Sequence, residues 1–155
     1  MFAPDARLLI LGSLPGEASL AAQRYYAHPQ NQFWRLVGGV IGAGLQDMAY
    51  EARLATLVTH KIALWDVVAN AERQGSLDTA IRNVTANDLA QLVASLPDLR
   101  AIAFNGQRAA KIGLKALGPD HAMPVLLLPS SSPAFTLPLA AKQAAWNALA
   151  TVLWD

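Results

Sequence analysis

The chain has no cysteine. That single absence excludes disulfides, thiolate zinc sites, iron–sulfur clusters and cysteine nucleophiles. Histidine is scarce too: His28, His60 and His121 stand far apart, with no HxxxH-type spacing. No metal site is expected from so few ligands. Charge of one sign is also lacking, since the net charge is only +1. Proteins that grip DNA through many phosphates carry a clear basic excess. This argues against a long nucleic-acid footprint, but not against a short one held by backbone N–H groups and helix N-termini. No apolar run reaches the roughly 18 residues of a membrane span. The first residues lack the basic start and apolar stretch of a secretory leader, so a cytoplasmic protein is expected.

What is present is apolar: 54% of residues are hydrophobic and 15% charged, which argues against disorder. A chain of this length fits one domain, here residues 1–155. Four short runs read as strands buried on both faces: 7–12 (RLLILG), 62–68 (IALWDVV), 100–106 (RAIAFNG) and 124–130 (PVLLLPS). Helical patterns lie between them at 31–41, 47–59, 85–96 and 107–117, and another closes the chain at 138–153. Thr85 and Asp88 suggest a capping box, and Pro138 suits a first helical turn. Alternating strands and helices predict an α/β three-layer sandwich with a central four-stranded parallel sheet. Ligands of such sheets bind beyond the carboxyl ends of the strands. The segments GSLPGEAS, WDVVANAERQGS, FNGQ and LPSSSPAF should therefore share one rim.

Each rim segment has a bland reading and a chemical one. GSLPG is neither a P-loop nor a GxSxG nucleophile elbow. It reads as a turn after a strand, with Ser13 a nucleophile only if a base is found for it. LPSSSPAF sets Ser130, Ser131 and Ser132 between two prolines. Such a stiff, neutral loop can hold phosphate through hydroxyl and N–H groups, or it can simply be a surface turn. In RYYAHPQNQFW, Phe33 and Trp34 read as the start of a core helix. Tyr26 precedes that helix beside a His-Pro turn, where its ring can face a planar ligand such as a nucleobase. His28, Gln30 and Asn31 add hydrogen-bonding groups. Asp66, inside an apolar strand, either accepts loop N–H groups or faces ligand and water. Asn70 and Asn105 either cap helices or line the site, while His60 and His121 read as ordinary loop or helix-end residues.

In this order the motifs ILGSLPG, YYAHPQNQFW, ALWDVV, FNGQRAAK and LPSSSPA resemble the uracil-DNA glycosylase superfamily. The likeness runs from residue 7 to about 150 and is strongest to the hypoxanthine-DNA glycosylase (DNA-deoxyinosine glycosylase) branch, then to the mismatch-specific uracil-DNA glycosylases. It implies an enzyme that flips a deaminated base from DNA and hydrolyses its N-glycosidic bond without cofactor or metal, as a monomer. Hypoxanthine is the implied base, with uracil a second candidate. The resemblance puts the first motif, Gly12, Ser13 and Pro15 included, on the water and sugar side of the pocket. It puts Tyr26 against the base; with it, Gly12, Ser13, His28, Asp66 and Asn105 are expected to bind the base, and Pro15 to contact DNA. It puts Pro129 to Ala134, hence Ser130, Ser131, Ser132, Pro133 and Ala134, on the DNA backbone. One position departs from the pattern. Many members carry Asp or Asn two residues after the first glycine, where this chain has Leu14. The catalytic group implied instead is Asn31. Two other classes compete: a nucleoside- or nucleotide-binding α/β module without DNA chemistry, and a hydrolase using Ser13.

Overall fold

The structure is a computed structural model that describes residues 3–13, 24–72, 82–86 and 88–154. Its centre is a four-stranded sheet in the order β2-β1-β5-β6, made of β1 (Leu8–Gly12), β2 (Ile62–Asp66), β5 (Ala101–Asn105) and β6 (Val125–Leu128). All three pairings are parallel. β1 is continuously apolar because both its faces are covered. Leu8 and Ile10 enter one core with Phe33, Leu36, Val37 and Trp146, whereas Leu9 and Leu11 enter the other with Leu89, Leu92, Phe104 and Ala109. The side-chain period of two thus splits one strand between two helical layers. The first layer contains α1 (Phe33–Ile41), α2 (Tyr50–Thr59) and α5 (Leu139–Trp146). The second contains α3 (Leu89–Ala94) and α4 (Gln107–Leu117). The expected three-layer α/β architecture is what the chain adopts.

The differences from expectation are local. The strand expected over 62–68 stops at Asp66, and Val68–Glu72 forms a separate strand, β3. β3 pairs antiparallel with β4 (Arg82–Ala86), with Asn70 opposite Thr85. Thr85 is therefore a strand residue, away from the N-cap position of α3, and Asn70 lies within β3 rather than at the end of a main-sheet strand. The helix expected over 85–96 shrinks to α3, whose N-cap is Asp88, Oδ1 accepting from the Gln91 N–H at 3.0 Å. Pro138 sits just before its helix with extended ψ of 144°, because a proline ring tolerates that boundary position. The last helix is also interrupted, giving a 3₁₀ turn over Asn147–Leu149 and then α6 (Ala150–Leu153). A 3₁₀ turn over Leu45–Asp47 likewise precedes α2. Finally, β6 is an edge strand rather than a fully covered one, with Leu127 66% exposed.

Candidate functional site

Strand register brings the site together. Gly12, the last residue of β1, lies beside Asp66, the last of β2, and Asn105 ends β5 beside Leu128 of β6. Four of the motifs therefore meet on one rim, as the rule for open α/β sheets requires. At Gly12 the absence of a side chain matters. A Cβ there would lie 2.9 Å from the Tyr26 hydroxyl and 3.0 Å from Asp66 Oδ1. The phenol and the carboxylate thus close over the same point of bare backbone. We expect Gly12→Ala to push one or both away and to lower the rate of the reaction about tenfold or more, a loss typical of a small displacement of positioned groups. A melting curve close to wild type alongside the slow rate checks that the effect is local.

Tyr26 is held firmly. Its ring stacks on Phe33 at 3.9 Å with planes 13° apart, and meets Trp34 edge-on at 6.5 Å. Its hydroxyl accepts from Asn105 Nδ2 at 3.3 Å. Its φ of 52° is rare for a bulky residue and stores local strain, which the stacking and the hydroxyl bond offset. The ring is therefore a backed shelf at the rim. Tyr25 next to it is pushed up to about 12 by burial first, then by the negative field of Asp66 and by Tyr50. Tyr25 therefore stays a neutral phenol in the neighbourhood of the Asp66 carboxylate.

Asn105 is 6% exposed, and its amide is spent on the frame. Nδ2 donates to Ser131 Oγ at 2.9 Å as well as to Tyr26, and Oδ1 accepts from the Ser131 N–H at 2.9 Å. It ties the shelf to the serine loop. Among the sequence readings of Asn105, a helix cap is excluded, because Gly106 takes the N-cap position of α4. Gly106 does so with φ of 97°, close against Ser130. A side chain there would be strained.

The serine loop folds on itself. Ser130 Oγ accepts from the Ser132 N–H at 3.1 Å, Ser132 Oγ accepts from the Ala134 N–H at 3.2 Å, and the Phe135 N–H donates to the Ser132 carbonyl at 3.1 Å. With Ser131 N–H given to Asn105, these backbone donors are engaged inside the protein, and Pro133 has none. The expectation that loop N–H groups hold phosphate therefore does not extend to those of Ser131, Ser132, Ala134 and Phe135. Ser130 and Ser132 accept at oxygen and each still carries an O–H as a donor. Ser131 is 1% exposed and belongs to the frame, whereas Pro133 and Ala134 are exposed.

Asn31 stands before α1. Its Oδ1 accepts from the Phe33 N–H at 3.0 Å. A backbone donor can only face the amide oxygen, so Nδ2 is the atom turned away from the helix. His28 is exposed, and its Nδ1 accepts from the Gln30 N–H at 3.1 Å. Ser13 is buried at 7% exposure. His28 turns back on its own loop and His60 bonds the Thr56 carbonyl at the end of α2. Pro15 and Leu14 lie outside the described residues. Among the described residues, no cluster of His, Asp and Glu has the makings of a metal site, and no helix is long and apolar enough to cross a membrane.

One residue at the rim went unread in the sequence. Lys142 of α5 is 1% exposed, and its ammonium donates to Gln32 Oε1 at 2.8 Å and to the Ser132 carbonyl at 3.2 Å. Burial pushes its amine below the usual lysine value. A signal for it exists in the sequence. Lys142 falls three residues after Leu139 and four before Trp146, on the stripe of α5 that faces the core.

Comparison with known proteins agrees with this geometry. Residues 1–150 match the uracil DNA glycosylase superfamily. A protein of Methanosarcina acetivorans named hypoxanthine DNA glycosylase is 46% identical over 128 residues, which is 83% of this chain and 80% of that one. Its namesake in Methanosarcina barkeri is 38% identical over 144 residues, covering 92% and 89%. A solution NMR structure of a candidate uracil DNA glycosylase from Methanosarcina acetivorans superposes with a TM-score of 0.82 at 40% identity, covering 97% of this chain and 93% of that one. In sequence and in fold alike, this chain belongs to the uracil DNA glycosylase superfamily.

Proposed function

We propose that this protein is a hypoxanthine DNA glycosylase: it takes a deaminated base out of DNA and hydrolyses the bond between base and sugar, leaving an abasic site. The observation that carries this reading is the likeness, over most of both chains, to two proteins of that name. The rim supplies what the chemistry requires. Enzymes acting on a base inside DNA extrude it into a pocket and stack it on an aromatic or apolar surface. Tyr26, backed by Phe33, is that surface. Breaking the N-glycosidic bond builds positive character on the sugar and negative charge on the departing base. Asp66, beside bare Gly12, is an acceptor that can orient a water and face the cationic sugar. Asn31, with its oxygen held by the helix, presents Nδ2 as a donor that fixes the water or the leaving base. An amide is no base near neutrality, so positioning and electrostatics supply most of the acceleration. Ser130 and Ser132 offer hydroxyl donors to phosphate.

Lys142 donates inward to Gln32 and Ser132, so a Schiff-base route is not part of the reading. The enzyme is monofunctional and releases base by hydrolysis. A panel of matched duplexes containing deoxyinosine, deoxyuridine or deoxyxanthosine, with free deoxyinosine as a further substrate, tests the assignment. We expect the deoxyinosine duplex to react fastest, deoxyuridine more slowly, and the free nucleoside not at all. Cleavage of the free nucleoside at the duplex rate would instead indicate a nucleoside hydrolase. Release from deoxyuridine alone would indicate a uracil enzyme.

A further inference from the structure

We propose that Lys142 is a positioning residue for DNA binding: its buried ammonium clamps the serine loop to the loop before α1, so that the phosphate-facing hydroxyls and the base pocket are set in one register. The inference rests on the reading of this rim as a DNA glycosylase site. Three segments meet at this nitrogen, one of them 110 residues away in sequence. Lys142 lies on α5, Gln32 directly follows Asn31, and Ser132 belongs to the serine loop. A second bond joins the same two loops, the Gln32 N–H donating to the Ser131 carbonyl at 3.0 Å. Beneath them, Trp146 Nε1 donates to the Pro129 carbonyl at 2.9 Å, so α5 holds the loop at both ends. The Phe135 ring lies 5.5 Å from the ammonium and covers it from the exposed side.

Burying a cation is costly unless polar groups compensate it. An apolar residue would hold α5 against the core at lower cost. What the amine adds is a donor pointed at both loops and a positive charge behind the serine carbonyl. A positive charge behind the loop also raises the potential that an approaching phosphate meets there. The clamp thus acts on affinity for the backbone, common to damaged and undamaged DNA, rather than on the chemical step.

Lys142→Met tests this, since methionine fills a similar volume without the charge. The dissociation constant for an undamaged duplex and the single-turnover rate at saturating enzyme are measured together, on a deoxyinosine duplex for the rate. We expect affinity to fall about tenfold or more, as for loss of one charge-assisted hydrogen bond, while the saturated rate stays within about threefold. Gln32→Leu removes the other end of the clamp and should show the same split, and the double variant should be no weaker than the worse single one. If Lys142→Met does not fold, the Gln32→Leu split decides alone. Unchanged affinity in the variants, with only a lower melting temperature, would overturn the proposal. So would a loss confined to the saturated rate. Wild-type protein that releases no base would instead refute the glycosylase reading, and the positioning role would fall with it.

Discussion

Asn31→Ala should cut the single-turnover rate of base release on the order of 100-fold or more, by analogy with other positioned donors in active sites. It should also lower stability by about 0.5–1.5 kcal/mol, because the Oδ1 bond to the Phe33 N–H is lost with it; Gln32 holds the N-cap position, so this bond is a turn into the helix rather than the cap expected from the sequence. The two effects are separable. Asn31→Asp keeps an oxygen for the Phe33 N–H, and adds negative charge at a helix N-terminus, so its melting temperature should stay near wild type. The second carboxylate oxygen replaces the NH₂ group and can still hold a water by accepting from it. A rate between those of wild type and Asn31→Ala is therefore expected. DNA affinity should change little in either variant. If Asn31→Ala kept a near-normal single-turnover rate and merely melted earlier, Asn31 would serve only to hold the turn into α1. Asp66 would then have to hold the water without help.

Tyr26→Ala should slow processing of damaged DNA at limiting substrate by roughly 5- to 150-fold, which corresponds to about 1–3 kcal/mol of base–aromatic stacking. The structure sharpens that expectation through Tyr26→Phe. Phenylalanine keeps the ring stacked on Phe33 and loses only the hydroxyl that accepts from Asn105. Asn105 retains both its bonds to Ser131, so the frame should survive. Most of the rate should remain in Tyr26→Phe, with the loss in Tyr26→Ala tracking the ring. An equal loss in both variants would mean that the hydroxyl network, not stacking, is what Tyr26 contributes. Measuring kcat/KM for the two variants on one deoxyinosine duplex distinguishes these outcomes.

The strands of the main sheet were legible because burial on both faces leaves an uninterrupted apolar run, as in LLILG and AIAFN. The rim was legible for a related reason, since parallel topology sends every strand-end loop to one side. The β3–β4 hairpin was not. The alternation in VANAE and RNVTA is carried largely by small alanines, and alanine, asparagine and glutamate have no strong strand preference, so the two segments show themselves as strands only by pairing with each other. Thr85 read as a cap for the same reason. The polar network was half legible. Asn105 stood out as an amide at a strand end, but nothing local says that its partners are Ser131 and Tyr26, 26 and 79 residues away. The spent N–H groups of the serine loop were equally hidden, since a hydroxyl that folds its own loop has the same sequence as one that binds phosphate. Lys142 was the clearest omission. A lysine on the core stripe of an amphipathic helix signals a buried amine in need of partners, and Gln32 and Ser132 are those partners.

The most direct measurement is of the products from a duplex with one deoxyinosine, incubated with excess protein and then split into alkali-treated and untreated halves. The account predicts free hypoxanthine in an amount equal to the strand breaks that appear after alkali, and an unbroken strand without it. An unbroken strand in both halves with no hypoxanthine released would contradict it.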